Sequence, residues 1–499
     1  MDVLHNLALG FSVFFTWSNL GYCFLGTLIG TLIGVLPGIG PAATMSLLLP
    51  ATYYLSPISG IIMMAGVLYG AMYGGSSTSI LVNIPGESSS IVTCLDGHQM
   101  ALQGRAGAAL GIAAFGSFIA GTLAIVGLMI GTTLLSHVAL QFGPPEYFSL
   151  IFLSFSLLIY LSSGSTLKAV MMAAAGVFVG TVGTDFITGD PRFTYGSLTL
   201  SDGIGLVPVV MGTFGIAEVL ENLEAGAKQT TVIQPRFRKL LPTLQDWKES
   251  IGPILRGSVI GFFLGMLPGG GAIVASFASY AVEKRITRHP ERFGKGAIEG
   301  VAGPEAANNS AVISHFVPLV SLGLPANVVM ALILGALMVH GLRPGPTFIQ
   351  DNPQLFWGVV ASMYAGNAML LVLNLPLIGV WVRLLSVPYR VLFPLILLFC
   401  SIGVYSVNNN FWELIIMVIF GFFGYLVRKF KYEVAPFAFA FVLSSIMENA
   451  LRQSLLMSRG SFRIFFGRPI ACVLMIAGCM IFLLPLLPFF KRQIFSDKF

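Results

Sequence analysis

Residues 26–40 read GTLIGTLIGVLPGIG and residues 257–271 read GSVIGFFLGMLPGGG. Gly26, Ile29, Gly30, Gly34, Leu36, Pro37, Gly38 and Gly40 match Gly257, Ile260, Gly261, Gly265, Leu267, Pro268, Gly269 and Gly271 at one offset of 231. Eight identities in fifteen positions, most of them Gly or Pro, exceed what a glycine-rich chain yields by chance. In a membrane chain, apolar segments broken by Gly and Pro at corresponding places in two halves point to a transporter's binding site.

Composition supplies the membrane. The 499 residues are 56% hydrophobic and 10% charged, with mean hydropathy +0.86. Soluble domains carry about 25% charged residues. Segments such as 107–135 and 469–490 are apolar all round, whereas barrel strands alternate apolar and polar. The reading is an all-α polytopic membrane protein with roughly ten to twelve apolar stretches near the length of about 20 residues that a span needs. The N-terminus shows neither a basic n-region nor a small-residue cleavage site, so no cleavable signal peptide is expected. Cys23, Cys94, Cys400, Cys472 and Cys479 have no paired or metal spacing and read as small buried residues.

The net charge of +6 collects in short loops. Residues 226–256 hold Lys228, Arg236, Arg238, Lys239, Lys248 and Arg256; residues 281–296 hold Lys284, Arg285, Arg288, Arg292 and Lys295. Both loops are expected in the cytoplasm. Between Arg256 and Glu283 lie 26 uncharged residues, and one crossing would put the two basic flanks on opposite sides. With PGGG near the middle, each arm has roughly 11 residues, about 16 Å of helix and about half a bilayer. A re-entrant hairpin follows. Its bare tip is tolerated only inside protein or against a wet cavity. The glycines at every fourth position before the tip line one helix face and let another helix approach; helix packing alone would account for them but not for the repeated LPG. The first copy gives no orientation of its own. If the repeats are inverted, it enters from the periplasmic side.

A polar, Gly/Pro-broken stretch follows each hairpin: YGGSSTSILVNIPGESSS at 73–90 and PEAANNSAVISHFVPLVSLGLPAN at 304–327. Ser76, Ser77, Thr78 and Asn83 precede Pro85; Asn308, Asn309 and Ser310 precede Pro318 and Pro325. Polar side chains and free carbonyls at such breaks can coordinate Na⁺, and a helix N-terminus can hold a carboxylate. Taken singly, each of these residues could equally bond or cap its own helix.

These stretches, in this order, resemble the large permease subunit of the tripartite tricarboxylate transporters, the TctA family. The resemblance rests on GVLPGIGPA (34–42), YGG…ILVNIPG (73–86), LDG…GRAGAALG (95–111), GMLPGGGA (265–272), GPEAANNSA (303–311), LGLPAN (322–327) and HGLRPGP (340–346). It implies a non-enzymatic inner-membrane carrier of di- and tricarboxylates such as citrate, driven by an ion gradient, usually Na⁺. It also implies a small TctB-like membrane subunit and a periplasmic TctC-like binding protein that delivers substrate. The matched positions expected to line the site are Pro37, Gly38, Ile39, Gly40, Ser76, Ser77, Thr78, Asn83, Pro85, Pro268, Gly269, Gly270, Gly271, Asn308, Asn309, Ser310, Pro325, Ala326 and Asn327, with Asn83, Asn308 and Asn309 as candidate Na⁺ ligands. Two departures stand out. Glu87 adds an acid beside the first break that could repel an anion, and Arg343 replaces an expected uncharged residue, read as a surface position.

The expected architecture is two repeats, residues 1–225 and 250–499, joined by a cytoplasmic linker at 226–249, each repeat with one re-entrant LPG hairpin and one broken helix. Intramembrane carboxylates default to functional candidates, here Glu87, Asp96, Asp185, Glu218, Glu305, Glu413 and Glu448. Asp96, Glu413 and Glu448 are expected to be surface or capping residues, and Glu305 a neighbour of a cation site. His315 reads as a neutral hydrogen-bonding residue. No nucleophile–base pair, Walker A motif or strand-preceded GxGxxG appears, which leaves a secondary carrier, with a channel built on re-entrant selectivity loops as the rival. The basic clusters flanking 434–447 fit either a short re-entrant segment or a span with one cluster outside.

Overall fold

The computed structural model describes residues 3–36, 40–162, 165–185, 187–225, 241–267, 271–384 and 389–484. The tip residues Pro37, Gly38, Ile39, Pro268, Gly269 and Gly270, and most of the 226–249 linker, lie outside them. The chain is helical almost throughout, and eight described helices are long and apolar enough to cross a membrane. In chain order the main helices are α1 (Val3–Phe14), α2 (Trp17–Val35), α3 (Pro41–Thr52), α4 (Pro57–Val82), α5 (Ile91–Met100), α6 (Ala106–Ala139), α7 (Pro144–Leu161), α8 (Thr166–Gly180), α9 (Leu206–Val210) and α10 (Ala217–Ala225). They continue with α11 (Leu244–Gly265), α12 (Gly271–Ile286), α13 (Glu299–Ser314), α14 (Phe316–Leu322), α15 (Val328–Val339), α16 (Pro353–Asn374), α17 (Tyr389–Asn408), α18 (Phe411–Lys429), α19 (Val434–Met457) and α20 (Pro469–Leu483). A short β-ribbon pairs Gly183–Thr184 with Pro191–Arg192.

Local chemistry starts several of these helices. Ser56 accepts from the Ser59 N–H ahead of Pro57, and Thr243 forms a capping box with Asp246. Both satisfy N–H groups that a first helical turn leaves free.

The glycine rows set how the interior packs. A Cβ at Gly26, Gly30 or Gly34 of α2 would strike the carbonyl oxygen of Met63, Val67 or Ala71 on α4. A Cβ at Gly257 or Gly261 of α11 would strike that of Gly303 or Ala307 on α13, and one at Gly265 would run into Ala311. Backbone therefore lies on backbone, which only glycine permits. The partners advance in step, so each pair of helices runs parallel. Met63 and Gly303, Val67 and Ala307, and Ala71 and Ala311 are each 240 residues apart.

Side-chain bonds sort the helix ends onto two faces. Arg256 pairs with Glu283 at 2.5 Å and Arg292 with Glu249 at 3.4 Å, so α11 and α12 form a helical hairpin whose arms start and end on one face. The Asp246–Arg105 pair joins the start of α6 to that face. α6 and α7 cross and return, and Ser162 then bonds Glu433, next to the Lys429–Glu224 and Arg428–Glu221 pairs. The long basic loops thus share a face. On the opposite face, Ser59 donates to Asn19 and Tyr54 donates to the Ser406 carbonyl, so the α2–α3 arms both end there.

The structure decides one open reading and locates the second break. The run 434–447 is part of one 24-residue helix, about 36 Å long, so the basic clusters flanking it stand at opposite ends rather than around a short re-entrant segment. The polar cluster Asn308–Ser310 sits inside the regular helix α13, and Pro304 and Pro318 sit inside helices, so the second break falls later than the polar cluster. It comes at Gly323, which is left-handed at φ 69°, as Asn83 is at φ 59° in the first break. These caps are also 240 residues apart, as are Pro85 and Pro325, and Glu87 and Asn327. Glu87 caps the 3₁₀ turn Ser88–Ser90 through the Ser89 N–H, and Asn327 caps α15 through the Met330 N–H.

Candidate functional site

Three polar centres lie in the apolar interior. The first joins both halves. Glu305 on α13 accepts from the Ser76 hydroxyl of α4 at 2.5 Å and from the Thr93 hydroxyl of α5. Glu87, from the first break, accepts from the Ser89 hydroxyl and N–H and from Asn308 Nδ2 at 3.2 Å. Asn308 is 1% exposed and its Oδ1 has no partner among the described residues. One residue on, Asn309 turns away and donates to Ser117 on α6 at 2.7 Å. Ser76, Ser77, Tyr73, Ser117 and Asn374 line a small cavity beside this centre, and Asn374 Oδ1 also lacks a partner among the described residues.

The second centre is the return arm of the first hairpin. The Gly40 N–H, at the start of α3, donates to Glu218 Oε1 at 2.9 Å. Close by, the Thr78 hydroxyl donates to the Val35 carbonyl at 2.7 Å and ties α4 to the end of α2. A Cβ at Gly86 would strike the Gly34 carbonyl, which brings the first break against the hairpin.

The third centre is the matching end of the second hairpin. Gly271 opens α12 with the His315 imidazole directly against it. His315 Nδ1 lies 3.2 Å from Asn327 Nδ2, and His315 Nε2 is buried with no partner among the described residues.

The expected site residues therefore separate. Ser76 and Asn308 join the first centre, with Ser77 on its cavity and Asn309 alongside. Gly40 and Thr78 belong to the second, and Gly271 and Asn327 to the third. Ser310 bonds the Ser258 carbonyl at 2.7 Å and ties α13 to α11. Asn83 and Pro85 are exposed, while Pro325 and Ala326 are buried. Thr93, Ser89 and Ser117 were not singled out from sequence, because a hydroxyl in an apolar helix usually bonds its own turn.

Other carboxylates are structural. Asp96 is fully buried rather than at the surface and accepts from the N–H groups of Gly294, Gly296 and Ala297 and from the Tyr280 hydroxyl. Glu413 is 6% exposed and accepts from Asn408 at 2.6 Å. Glu448 bonds Arg192 and Arg452 at the mouth of a cavity of about 360 Å³ on the face away from the long basic loops. Asp185 sits in the same cluster. The Thr188 N–H and the Arg452 guanidinium hold its carboxyl well below the usual range. Arg343 is exposed.

Comparison with known proteins adds a family. The family model described as "Tripartite tricarboxylate transporter TctA family" matches residues 20–439. An uncharacterized 52.8 kDa protein in the TAR-I ttuC' 3' region of Agrobacterium vitis is 49% identical over 493 residues, covering 99% of this chain and 98% of that protein. A second uncharacterized protein of that organism, in the TAR-II ttuC' 3' region, is 50% identical over 233 residues, covering 47% of this chain and 96% of its own length. No solved structure matches.

Proposed function

Because this chain belongs to the TctA family, the large subunits of tripartite tricarboxylate transporters, we propose that it takes up di- and tricarboxylates of the citrate class across the bacterial inner membrane. It is a multi-pass membrane transporter rather than an enzyme. In this reading a cation gradient, Na⁺ in the first instance, drives uptake. A TctC-like periplasmic protein delivers the substrate and a TctB-like subunit completes the complex. The face with the long basic loops is cytoplasmic. The hairpins α2–α3 and α11–α12 re-enter from opposite sides as parts of inverted repeats.

The observation that carries the proposal is the Gly40 N–H on the Glu218 carboxylate. The start of a hairpin's return arm already holds a carboxylate, as the positive end of a helix favours. The matching end at Gly271 faces the unpartnered His315 Nε2 and supports binding of a substrate carboxylate there.

The test is uptake of radiolabelled citrate into proteoliposomes holding this chain and its small subunit, with the binding protein outside. Accumulation that needs both the binding protein and an inward Na⁺ gradient is the expected result. Accumulation of another dicarboxylate instead would change the substrate and keep the mechanism. Passive, non-saturating ion flux with no carboxylate accumulation would replace the carrier with a channel. Within the carrier, Asn309→Ala leaves the Ser117 hydroxyl without its donor in a buried site. A loss of about 1–3 kcal/mol there corresponds to roughly 5- to 150-fold slower uptake, with docking of the binding protein retained.

A further inference from the structure

Glu305 is buried and Glu87 half-buried where the two halves of the chain meet, and no described Lys, Arg or His forms an ion pair with either. Hydroxyls, an amide and backbone N–H groups bond them, and none of these carries a charge. An ionised carboxylate as buried as Glu305, with a second acid half-buried in the same polar centre, is far too costly to leave uncompensated. The site must therefore take up positive charge from outside.

Its donors are all oxygens. They come from the two carboxylates, the Ser76, Thr93 and Ser89 hydroxyls, and Oδ1 of the buried Asn308, which has no partner among the described residues. A hard cation takes such ligands, and a proton would leave Asn308 Oδ1 unused. We propose that Glu87 and Glu305 hold a Na⁺ ion, with Asn308 Oδ1 and the Ser76 and Thr93 hydroxyls completing its shell. The ligands come from α4, α5, the first break and α13, so the bound ion joins the two halves of the chain. The site deepens the carrier reading, since this would be the ion whose gradient drives uptake. Binding itself is measured without any carboxylate.

The experiment is equilibrium binding of ²²Na⁺ to the purified full-length chain in lipid nanodiscs. Wild type and Glu291→Gln, an exposed loop position, should bind saturably. Glu87→Gln, Glu305→Gln and Asn308→Ala should bind at least tenfold more weakly while remaining monodisperse. Folded Glu87→Gln and Glu305→Gln proteins that bind like wild type would overturn the proposal, as would a wild type without saturable binding between pH 6 and 8. Should the variants not fold, wild type suffices. Na⁺, but not choline, should slow modification of Glu87 and Glu305 by dicyclohexylcarbodiimide, and equal rates in the two salts would overturn the proposal. Saturable ²²Na⁺ binding without carboxylate uptake would keep the site and remove the substrate reading. Proton-driven citrate uptake without ²²Na⁺ binding would do the reverse.

Discussion

Asp96 shows how much one carboxylate can organise. Its Oδ1 gathers the N–H groups of Gly294, Gly296 and Ala297, and both glycines have positive φ, at 80° and 101°. Asp96→Ala would leave three donors without their acceptor, and we expect it to lower stability by about 3 kcal/mol, read as a fall in melting temperature in detergent. Asp185 gives a pH-dependent counterpart. Its carboxyl titrates lower in the folded protein than in the unfolded chain. Its contribution is therefore complete above the unfolded value of about 3.9 and fades as the pH falls toward the depressed folded value. Melting curves below about pH 4 should fall less steeply for Asp185→Asn than for wild type. Sequence alone placed Asp96 at a surface or a cap because its partners lie about 200 residues away. Nothing local to LDGHQ reveals that a loop will fold over it. The spacing of Glu305 from Asn308 suggests that the two act together, and both belong to the first polar centre. The link of Glu305 to Glu87 was not legible in the sequence, because that contact crosses from one half of the chain to the other.

At the level of elements, the glycine rows were readable because the spacing of four is written in adjacent turns. Their partners were not, since a carbonyl oxygen belongs to every residue. Gly34→Ala and Gly261→Ala would each push a methyl group onto the backbone of a neighbouring helix. We expect each to cost about 1–3 kcal/mol and to reduce the yield of monodisperse protein. Gly21→Ala on the same α2 helix meets nothing within 4 Å, and should be neutral or stabilising by up to about 1 kcal/mol. The second break, at Gly323, lies within the stretch 304–327, but the two halves differ in how far the break stands from the polar cluster. In the first half the polar cluster lies on the last turns of α4, close to its break; in the second it lies in mid-helix on α13, well before Gly323. Prolines inside α13 and α14 mimic the punctuation of a break without making one.

Across the whole molecule, two faces and two hairpins predict a labelling pattern. In a background lacking the five cysteines, Lys248→Cys and Lys295→Cys should react with an impermeant maleimide only in inside-out vesicles. Tyr54→Cys and Arg459→Cys should react only in right-side-out ones. Reaction of 248 and 295 from opposite sides would make α11–α12 a crossing rather than a hairpin. The loop charges point to this arrangement at α11–α12. They leave it open at α19, because the acids that bond Arg452 and Arg468 lie 267 and 322 residues away.

Glu87 and Asn308 meet across 221 residues of chain. A ribosome adding about 5–20 residues each second needs roughly 10–45 seconds to travel that far. During that interval Glu87 has no second half to partner it. The newborn N-terminal half must wait, with Glu87 protonated, wet or guarded by another protein, until α13 arrives. Severing the gene within 226–240 and supplying the two pieces from separate promoters would lengthen or shorten that wait at will. The yield of assembled protein, followed against the delay, would measure how long an unfinished transporter survives in the membrane.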